Sequence, residues 1–409
     1  MATKRKGDGN VPNLRFPGFE AYWEEKRLGD LLEFKNGINA SKEQYGTGIK
    51  FINVLDILNN DYLTYERIVG KVNVDSDMVN KYPVKYGDLL FQRSSETREE
   101  VGTANVYLDK KHTATFGGFV IRGKKISDYD PIFLNKLLKT NAARDSITSR
   151  SGGSTRYNVG QDILSSVVLK FPCLSEQEKV GEFLTLIDKR INTQSKIIEQ
   201  LETLIKGLCE TLFSEKVRFN KFTYEWKLMN LEKVLVKNSI KNKNQKYSVV
   251  QSVSNKYGFI NQDEMFEDRR VASIDTSNYY VIGKGCFAYN PSRINVGSLA
   301  YKDDDETTVI SPLYISFKAN NNFIVDRFLW YWFRTVLFTR QMNNSFEGSV
   351  RNTLSYENLI RINISIPSLE EQIKIVELLS LIDGKIHNER NLLDKHQSQK
   401  KHLLNNLFI

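Results

Sequence analysis

The sequence predicts an α+β protein: two mixed α/β modules in tandem duplication, joined by two long antiparallel coiled-coil helices. Three observations predict this fold. The second half of the chain repeats the first, each half ends in a long heptad-patterned segment, and short apolar segments bounded by turn residues precede it. At 409 residues the chain is too long for one typical core and suits two or three domains.

The duplication is visible when the sequence is compared with itself. A shift of 195 residues lays segment 133–213 on segment 328–408 without a gap, and about a quarter of the positions are identical. Upstream the register drifts, as insertions in loops would cause. The clearest repeated motifs are Gly153-Ser154-x-Arg156 with Gly348-Ser349-x-Arg351, Pro172-x-Leu174-x-Glu176-Gln177 with Pro367-x-Leu369-x-Glu371-Gln372, and Ile187-Asp188 with Ile382-Asp383.

The closing segment of each half predicts a long helix. Segment 175–213 carries apolar residues at alternating steps of three and four, the pattern of a helix packed along another helix. Segment 369–409 repeats it more weakly, because Glu389, His396 and Lys400 occupy seam positions. We expect the two helices to pair with each other; packing into a core or binding outside partners are the alternatives. The predicted helix-pairing residues are Ile187, Ile191, Ile198, Leu201, Ile205, Leu208, Ile382, Ile386, Leu393 and Leu403.

These patterns predict the following organisation. It comprises a basic, flexible N-terminal tail (1–12), a first module (13–174), a central long helix (175–213), a linker (214–221), a second module (222–368) and a C-terminal long helix (369–409).

Net charge, the numbers of cysteine and histidine residues and the lengths of apolar runs limit the classes of function that the sequence suits. The net charge of +9 favours an anionic partner, of which nucleic acid is the commonest, although a basic protein without such a partner is the alternative. Three isolated cysteines and four histidines argue against a zinc site and a disulfide framework. No apolar run reaches the roughly eighteen residues of a membrane span, and the polar N-terminus does not resemble a signal peptide. We therefore expect a cytoplasmic protein.

Catalytic motifs are weak throughout the sequence. Asn290-Pro291-Ser292-Arg293 resembles the Asn-Pro-Pro-aromatic loop of adenine methyltransferases but lacks the second proline and the aromatic residue. There is no phosphate-binding GxxxxGK[ST] motif, and the acidic run 303–306 favours a solvated loop over a metal site. We expect no catalytic residue and no metal site. An enzyme with unfamiliar motifs and a scaffold that binds only protein stay open as rivals.

Two pairs of polar loops are the candidate DNA-binding elements. The first pair follows an apolar strand in each half and offers Arg, Asn, Gln and Ser, which hydrogen-bond to base edges; ordinary hairpin loops are the alternative. The second pair is rich in small residues and hydroxyls and suits contact with the phosphate backbone; a turn before a strand is the alternative. Trp23 and Trp226 are expected in the core. The predicted DNA-binding residues are Gln92, Arg93, Ser94, Ser95, Arg98, Arg150, Ser154, Thr155, Arg156 and Tyr157 in the first half, and Tyr289, Asn290, Ser292, Arg293, Ser349 and Arg351 in the second.

Over nearly its whole length the sequence resembles the specificity (S) subunits of type I restriction-modification systems. The resemblance rests on the opening Arg15-Phe-Pro-Gly-Phe with Trp23 and Leu28, and on the repeated Pro-x-Leu-x-Glu-Gln-x-Lys motif that precedes each long helix. The helix phrase Leu186-Ile-Asp-Lys189 and its copy at 381–383 belong to the same pattern.

The resemblance implies a non-catalytic DNA-binding subunit that serves in phage defence. Each target-recognition domain would read one half of a split DNA site, and the helices would set the spacing and dock two methyltransferase subunits. Those partners would carry S-adenosylmethionine and methylate adenine at N6. Further restriction/translocase subunits would use ATP and magnesium, while this chain would hold no cofactor of its own, in the cytoplasm of a bacterium or archaeon.

Overall fold

The computed structural model describes residues 2–3 (backbone only), 10–153, 155–255, 257–262, 275–347 and 352–409. The chain forms two compact units: the first contains Met1–Ser195 and Asn391–Ile409, and the second contains Lys196–Arg390. The long helices run over Leu174–Phe213 and Leu369–Leu407. Each long helix therefore begins in one unit and ends in the other.

The first unit is built around a four-stranded antiparallel sheet in the order β4-β11-β7-β9 and a three-stranded sheet in the order β10-β5-β6, in which β10 and β5 are parallel. Its strands are β1 Ala2–Thr3, β2 Leu14–Arg15, β3 Glu24–Arg27, β4 Leu32–Asn36, β5 Tyr45–Ile52, β6 Lys71–Val72, β7 Leu89–Gln92, β8 Ser94–Ser95, β9 Ala104–Val106, β10 Thr115–Phe116, β11 Val120–Lys125, β12 Tyr157–Asn158 and β13 Val168–Phe171. Its helices are α1 Leu28–Leu31, α2 Val54–Asn59, α3 Ser76–Lys81, α4 Pro131–Leu137, α5 Asn141–Thr148, α6 Gln161–Ser166, the first part of α7 Leu174–Phe213, and a 3-10 helix at Lys42–Gln44.

The second unit repeats this plan. The order β15-β22-β19-β20 corresponds to β4-β11-β7-β9, and a second sheet in the order β17-β16-β21-β18 again contains one parallel pair, β16 with β21. Its strands are β14 Lys227–Asn230, β15 Leu235–Lys237, β16 Val250–Ser254, β17 Gly258–Asn261, β18 Tyr280–Ile282, β19 Cys286–Tyr289, β20 Leu299–Tyr301, β21 Thr308–Ile310, β22 Ile315–Ala319 and β23 Asn363–Ile366. Its helices are α8 Leu231–Val234, α9 Asp326–Phe333, α10 Val336–Asn343, α11 Tyr356–Leu359, the first part of α12 Leu369–Leu407, and a 3-10 helix at Ile294–Val296.

These repeated sheets and the two long helices confirm the predicted α+β duplication. The individual domain boundaries stay predictions. Most of the N-terminal tail lies outside the described residues, and Ala2–Thr3 pairs with Leu14–Arg15 as a short antiparallel ladder.

The repeated Glu-Gln motif anchors each long helix to the chain segment that opens its repeat. In the first unit, Arg15 donates from Nε and Nη2 to the two carboxylate oxygens of Glu176, at 2.8 and 2.7 Å, and both side chains are buried. In the second unit, Arg218 makes the same two-pronged contact with Glu371, at 3.0 and 2.8 Å. Charge-assisted pairs of this geometry are strong and directional, so they fix where the long helix leaves each module.

The glutamine of the motif fixes the next helix in each repeat. Gln177 accepts a hydrogen bond from the backbone N–H of Asp130, the residue before α4, at 3.1 Å, and donates to the carbonyl of Pro172. Gln372 accepts from the backbone N–H of Val325, the residue before α9, at 2.8 Å. The Glu-Gln motif therefore fixes the long helix to the sheet module that precedes it.

Each unit contains an aromatic cluster that includes a phenylalanine from the C-terminal end of a long helix. In the first unit, Trp23 lies edge-on to Phe133, and both contact Phe408, which follows α12. In the second unit, Trp226 and Phe328 contact Phe213, the last residue of α7. Trp23 is only 2% exposed, which confirms its predicted place in the core, whereas Trp226 is half-buried.

Within each unit, the two long helices pack against one another. In the second unit, Glu202 of α7 forms an ion pair with Arg390 of α12, and Cys209, seven residues further along α7, lies near Asp383, seven residues earlier in α12. This opposite progression is antiparallel packing, as predicted. None of the ten predicted pairing residues is exposed: Ile198, Ile205, Ile386 and Leu403 are buried and the other six are half-buried. Their individual pairing roles stay predictions.

The polar seam position of Lys400 is explained by an ion-pair network in the first unit. Asp188 of α7 lies between Lys136 of α4 and Lys400 of α12, with the Lys400 Nζ at 2.7 Å from Oδ1. Burial by itself would raise the pKa of Asp188, but the charges of Lys136 and Lys400 outweigh burial and lower it below its ordinary value. Lys400 therefore occupies the helix seam because a buried carboxylate faces it.

Replacing Asp188 tests this network. Asp188→Asn leaves the buried Lys136 ammonium without its counter-charge, so we expect the free energy of unfolding at pH 7 to fall by about 3 kcal/mol. Because the folded pKa of Asp188 is depressed, the wild-type chain should begin to lose this contribution as the pH falls below about 4, so the difference between the two proteins should narrow. Urea unfolding measures the difference in unfolding free energy between the two proteins at pH 7 and at pH 3. Glu182→Gln, on the exposed side of the same helix, is the control, and equal losses in the two variants would contradict the assignment.

Candidate nucleic-acid interface

In the first unit, the fold brings together the two loops that the sequence predicted separately. Strand β8 pairs with β12, so that Ser95 faces Tyr157 and Ser94 faces Asn158. The backbone N–H of Val159 donates to the carbonyl of Arg93 at 3.0 Å. The predicted base-reading loop and the predicted backbone-binding loop therefore form one continuous surface.

The second unit joins its corresponding loops in the same way. The backbone N–H of Leu354 donates to the carbonyl of Pro291 at 3.1 Å, and the hydroxyl of Tyr289 donates to the carbonyl of Leu354 at 3.1 Å. Ser154, Ser349 and Arg351 lie outside the described residues, so their assignments stay predictions.

Most of the predicted side chains that the structure describes are on the surface, and several are held by backbone carbonyls. Arg98 donates to the carbonyls of Thr148 and Ser149, which links the first loop to the end of α5. Arg93 donates from Nη1 to the carbonyl of Gly118 at 3.3 Å. The exposed members are Arg93, Arg98, Arg150, Thr155, Arg156, Ser292 and Arg293, and the half-buried ones are Ser94, Tyr157 and Asn290.

Three predicted contact residues are corrected by their burial. Gln92 and Tyr289 end the central strands β7 and β19, which are buried on both faces, so their side chains point into the fold. Burial also raises the pKa of the Tyr289 hydroxyl above its ordinary value. The hydroxyl of Ser95 is turned inward and donates to Glu100 at 3.0 Å. These groups support the loops and do not form their contact surface.

A polar cleft beside Arg93 adds candidates that the sequence did not reveal. It is lined by Asn36, Arg93, Asn158 and Gln161, together with neighbouring residues of segment 159–162. Asn and Gln are the side chains best suited to adenine in the major groove. Asn36 and Gln161 come from the end of β4 and the start of α6, and no local motif marks such distant segments as neighbours.

The surface offers hydrogen-bond donors and positive charge. In the described part of the chain, no group of three or more His, Cys, Asp or Glu residues is placed to hold a metal ion. The aspartates of the acidic run 303–306 form ion pairs with basic side chains: Asp303 pairs with Arg327, Asp304 with Lys302 and Asp305 with Lys284. No described helix has the length and apolar content needed to cross a membrane.

Fold and surface together define a duplicated recognition protein, in which two similar modules present similar loops with different side chains. Comparison with known families gives the class its name. Residues 20–203 and 225–395 each match the type I restriction modification DNA specificity domain. The chain belongs to this family and carries two copies of its domain.

Individual relatives agree with this membership over most of their length. The chain is 22% identical to a putative type I restriction enzyme MjaX specificity subunit and 24% identical to the MjaVIII specificity subunit, both from Methanocaldococcus jannaschii. Each match covers 94% of this chain and 92% of the relative.

Among solved structures, the S subunit of a type I restriction-modification system from M. genitalium has a similar fold. Its TM-score is 0.59 at 15% identity, with 98% of this chain and 99% of that one covered. A second structure, from work on complex assembly and conformational transition of the type I system, matches with a TM-score of 0.54 at 14% identity and covers 96% of this chain and 97% of that one.

Two arginine variants separate base reading from backbone contact. We expect Arg93→Ala to weaken binding to a duplex that carries the chain's recognition sequence by about tenfold, with little effect on an unrelated duplex. Arg156→Ala, which removes an exposed cation from the glycine-rich loop, should weaken both duplexes alike. It should also lower the slope of log affinity against log salt by about one.

The measurement is a set of binding titrations of this chain, assembled with the other subunits of its restriction-modification complex, at several salt concentrations. Arg27→Ala, an exposed arginine on β3 in a separate ladder, is the matched control. If Arg93→Ala and Arg156→Ala show the same effect on both duplexes, the division of labour between the two loops is wrong.

Proposed function

We propose that this chain selects the DNA sequence on which a type I restriction-modification complex acts, each module reading one half of a split site. One observation carries the proposal: the two repeats hold corresponding loops on the same scaffold but fill them with different side chains. The first presents Arg93 and Arg98, and the second presents Asn290, Ser292 and Arg293. Two readers of different base sequences need such a difference.

The long helices are the proposed docking sites for two methyltransferase subunits. Leu186 of α7 and Leu381 of α12 occupy equivalent positions in the duplication, and both are exposed. Leu174 and Leu369, at the start of the two helices, form a second exposed pair. Because the same apolar side chains recur on both helices, two copies of one partner can bind in the same way.

The reaction itself belongs to the partners in this proposal. The methyltransferase subunits bind S-adenosylmethionine and methylate adenine at N6, and restriction/translocase subunits use ATP and magnesium. This chain supplies the sequence choice in the cytoplasm, where it meets chromosomal and incoming DNA. In this proposal the contribution of this chain is binding and positioning.

Methylation mapping tests the proposal directly. The chain is co-expressed with its methyltransferase, and N6-methyladenine is mapped across the host genome. We expect one split motif, absent when the chain is omitted and altered in one half only when residues 13–174 are exchanged for those of a relative. Methylation that persists without the chain, or a continuous palindromic motif, would refute the proposal.

The helices also predict the spacing between the two half-sites. Four residues inserted after Ser195 and four after Arg390 lengthen each helix by about 6 Å, close to two base pairs. We expect the gap between the half-sites to widen by about two base pairs while each half-site keeps its sequence. Insertion into α7 alone is the control, and it should abolish methylation because the helices can no longer pair in register. An unchanged gap after the double insertion would exclude the helices as the ruler.

A further inference from the structure

One turn in each repeat carries an exposed apolar side chain beside the candidate DNA-binding loop. In the first unit the turn spans residues 117–120, and the backbone N–H of Val120 donates to the carbonyl of Gly117 at 2.9 Å. Phe119, its third residue, is 67% exposed. In the second unit the turn spans residues 311–314, with Tyr314 donating to Ser311 at 3.1 Å, and its third residue, Leu313, is 80% exposed.

The two turns are structurally equivalent although their sequences differ. Each connects the strand that pairs in parallel, β10 or β21, to a central antiparallel strand, β11 or β22. A single exposed apolar side chain is ordinary on a protein surface. Here the same position of the same turn carries one in both repeats, while the residues around it have changed. This recurrence indicates a shared use.

Both tips lie next to the loops already assigned to DNA. The backbone N–H of Arg93 donates to the carbonyl of Phe119 at 2.9 Å, and the Arg93 guanidinium donates to the carbonyl of Gly118. In the second unit, Ile315 pairs with Tyr289, which places the turn beside Asn290. An apolar tip and polar donors therefore share one surface in each repeat.

Each turn has one feature that restricts its backbone. An ideal Cβ at Gly118 would lie 1.9 Å from Oδ1 of Asn39, which shows how closely the turn backbone packs against that side chain. In the second turn Pro312 occupies the same position as Gly118 and fixes its own backbone angle φ. A turn whose backbone is already restricted loses less conformational entropy on binding, which favours affinity.

We propose that Phe119 and Leu313 are base-contacting, specificity-determining residues, each set against apolar base surface in the half-site that its own module reads. This inference rests on the proposed function. The phosphate backbone of DNA is charged, and its apolar surfaces are the thymine methyl group and the faces of the bases. An apolar tip therefore contributes to sequence choice, while the neighbouring arginine and asparagine supply hydrogen bonds.

The test uses the assembled methyltransferase complex and two duplexes of equal length, one with the mapped motif and one unrelated. We expect Phe119→Ala and Leu313→Ala each to weaken binding to the motif duplex by about tenfold and to leave the unrelated duplex nearly unchanged. In methylation maps, each variant should relax only one half of the motif. Phe119→Leu should retain most of the affinity, because leucine serves at the equivalent position.

Matched controls are Tyr22→Ala and Leu228→Ala, exposed apolar residues of the two units, 60% and 70% exposed, that lie in other ladders or loops. Motif duplexes with deoxyuridine in place of thymine identify the base surface. If the wild-type complex is sensitive to this change and Phe119→Ala or Leu313→Ala is not, the tip contacts the thymine methyl group. Equal sensitivity in wild type and variant excludes the methyl group as the surface that the tip contacts.

The preference of the wild-type complex for its motif duplex separates a wrong role for Phe119 and Leu313 from a wrong function for the chain. A wild-type complex that does not prefer its motif duplex refutes the function itself. A wild-type complex that does prefer it, with tip variants that match the controls or that lose both duplexes equally, overturns the base-contacting role alone. Thermal unfolding of each variant checks that the fold is unchanged.

Discussion

Phe408 packs on Trp23 and Phe133 at ring-centroid distances of 6.4 and 5.3 Å, and Phe213 packs on Trp226 and Phe328 at 6.4 and 4.8 Å. Each of these phenylalanines comes from the end of the other repeat's long helix. Neither repeat therefore completes its own aromatic core. Burial of such rings is among the larger apolar contributions to stability, so each repeat supplies an aromatic ring that stabilises the core of the other.

The two repeats share the contacts that join each module to its long helix, and they differ in the side chains of the candidate DNA-binding loops. The pairs Arg15 with Glu176 and Arg218 with Glu371 are the same contact made twice, and the glutamine that follows each glutamate fixes the next helix. Removing one partner of a buried pair leaves an uncompensated charge, which costs several kcal/mol, so these positions tolerate little change. Loops at the strand ends carry no such penalty, and there the two repeats carry different side chains.

The candidate surface was predictable in part. Self-comparison of the sequence located the loops, because repeats that share a scaffold align wherever packing is shared. It misassigned Gln92 and Tyr289, because the buried strands β7 and β19 extend to these residues and nothing in the local pattern marks where the strand leaves the core. The exposure of Phe119 and Leu313 was not predictable from the sequence, for a related reason. An apolar residue in a sequence is expected to be buried, and only the turn geometry places these two at the surface.

The sequence by itself determined the duplication, the two long helices and the absence of familiar catalytic motifs, because periodicity and repetition are local properties that can be counted along the chain. The tertiary structure alone decided which helix end closes which module, that the two loops of each repeat join into one surface, and that Asp188 meets Lys400 across the helix pair. Those contacts join residues up to several hundred positions apart. They follow from how the elements pack, and packing depends on the shape of whole modules and not on any short segment.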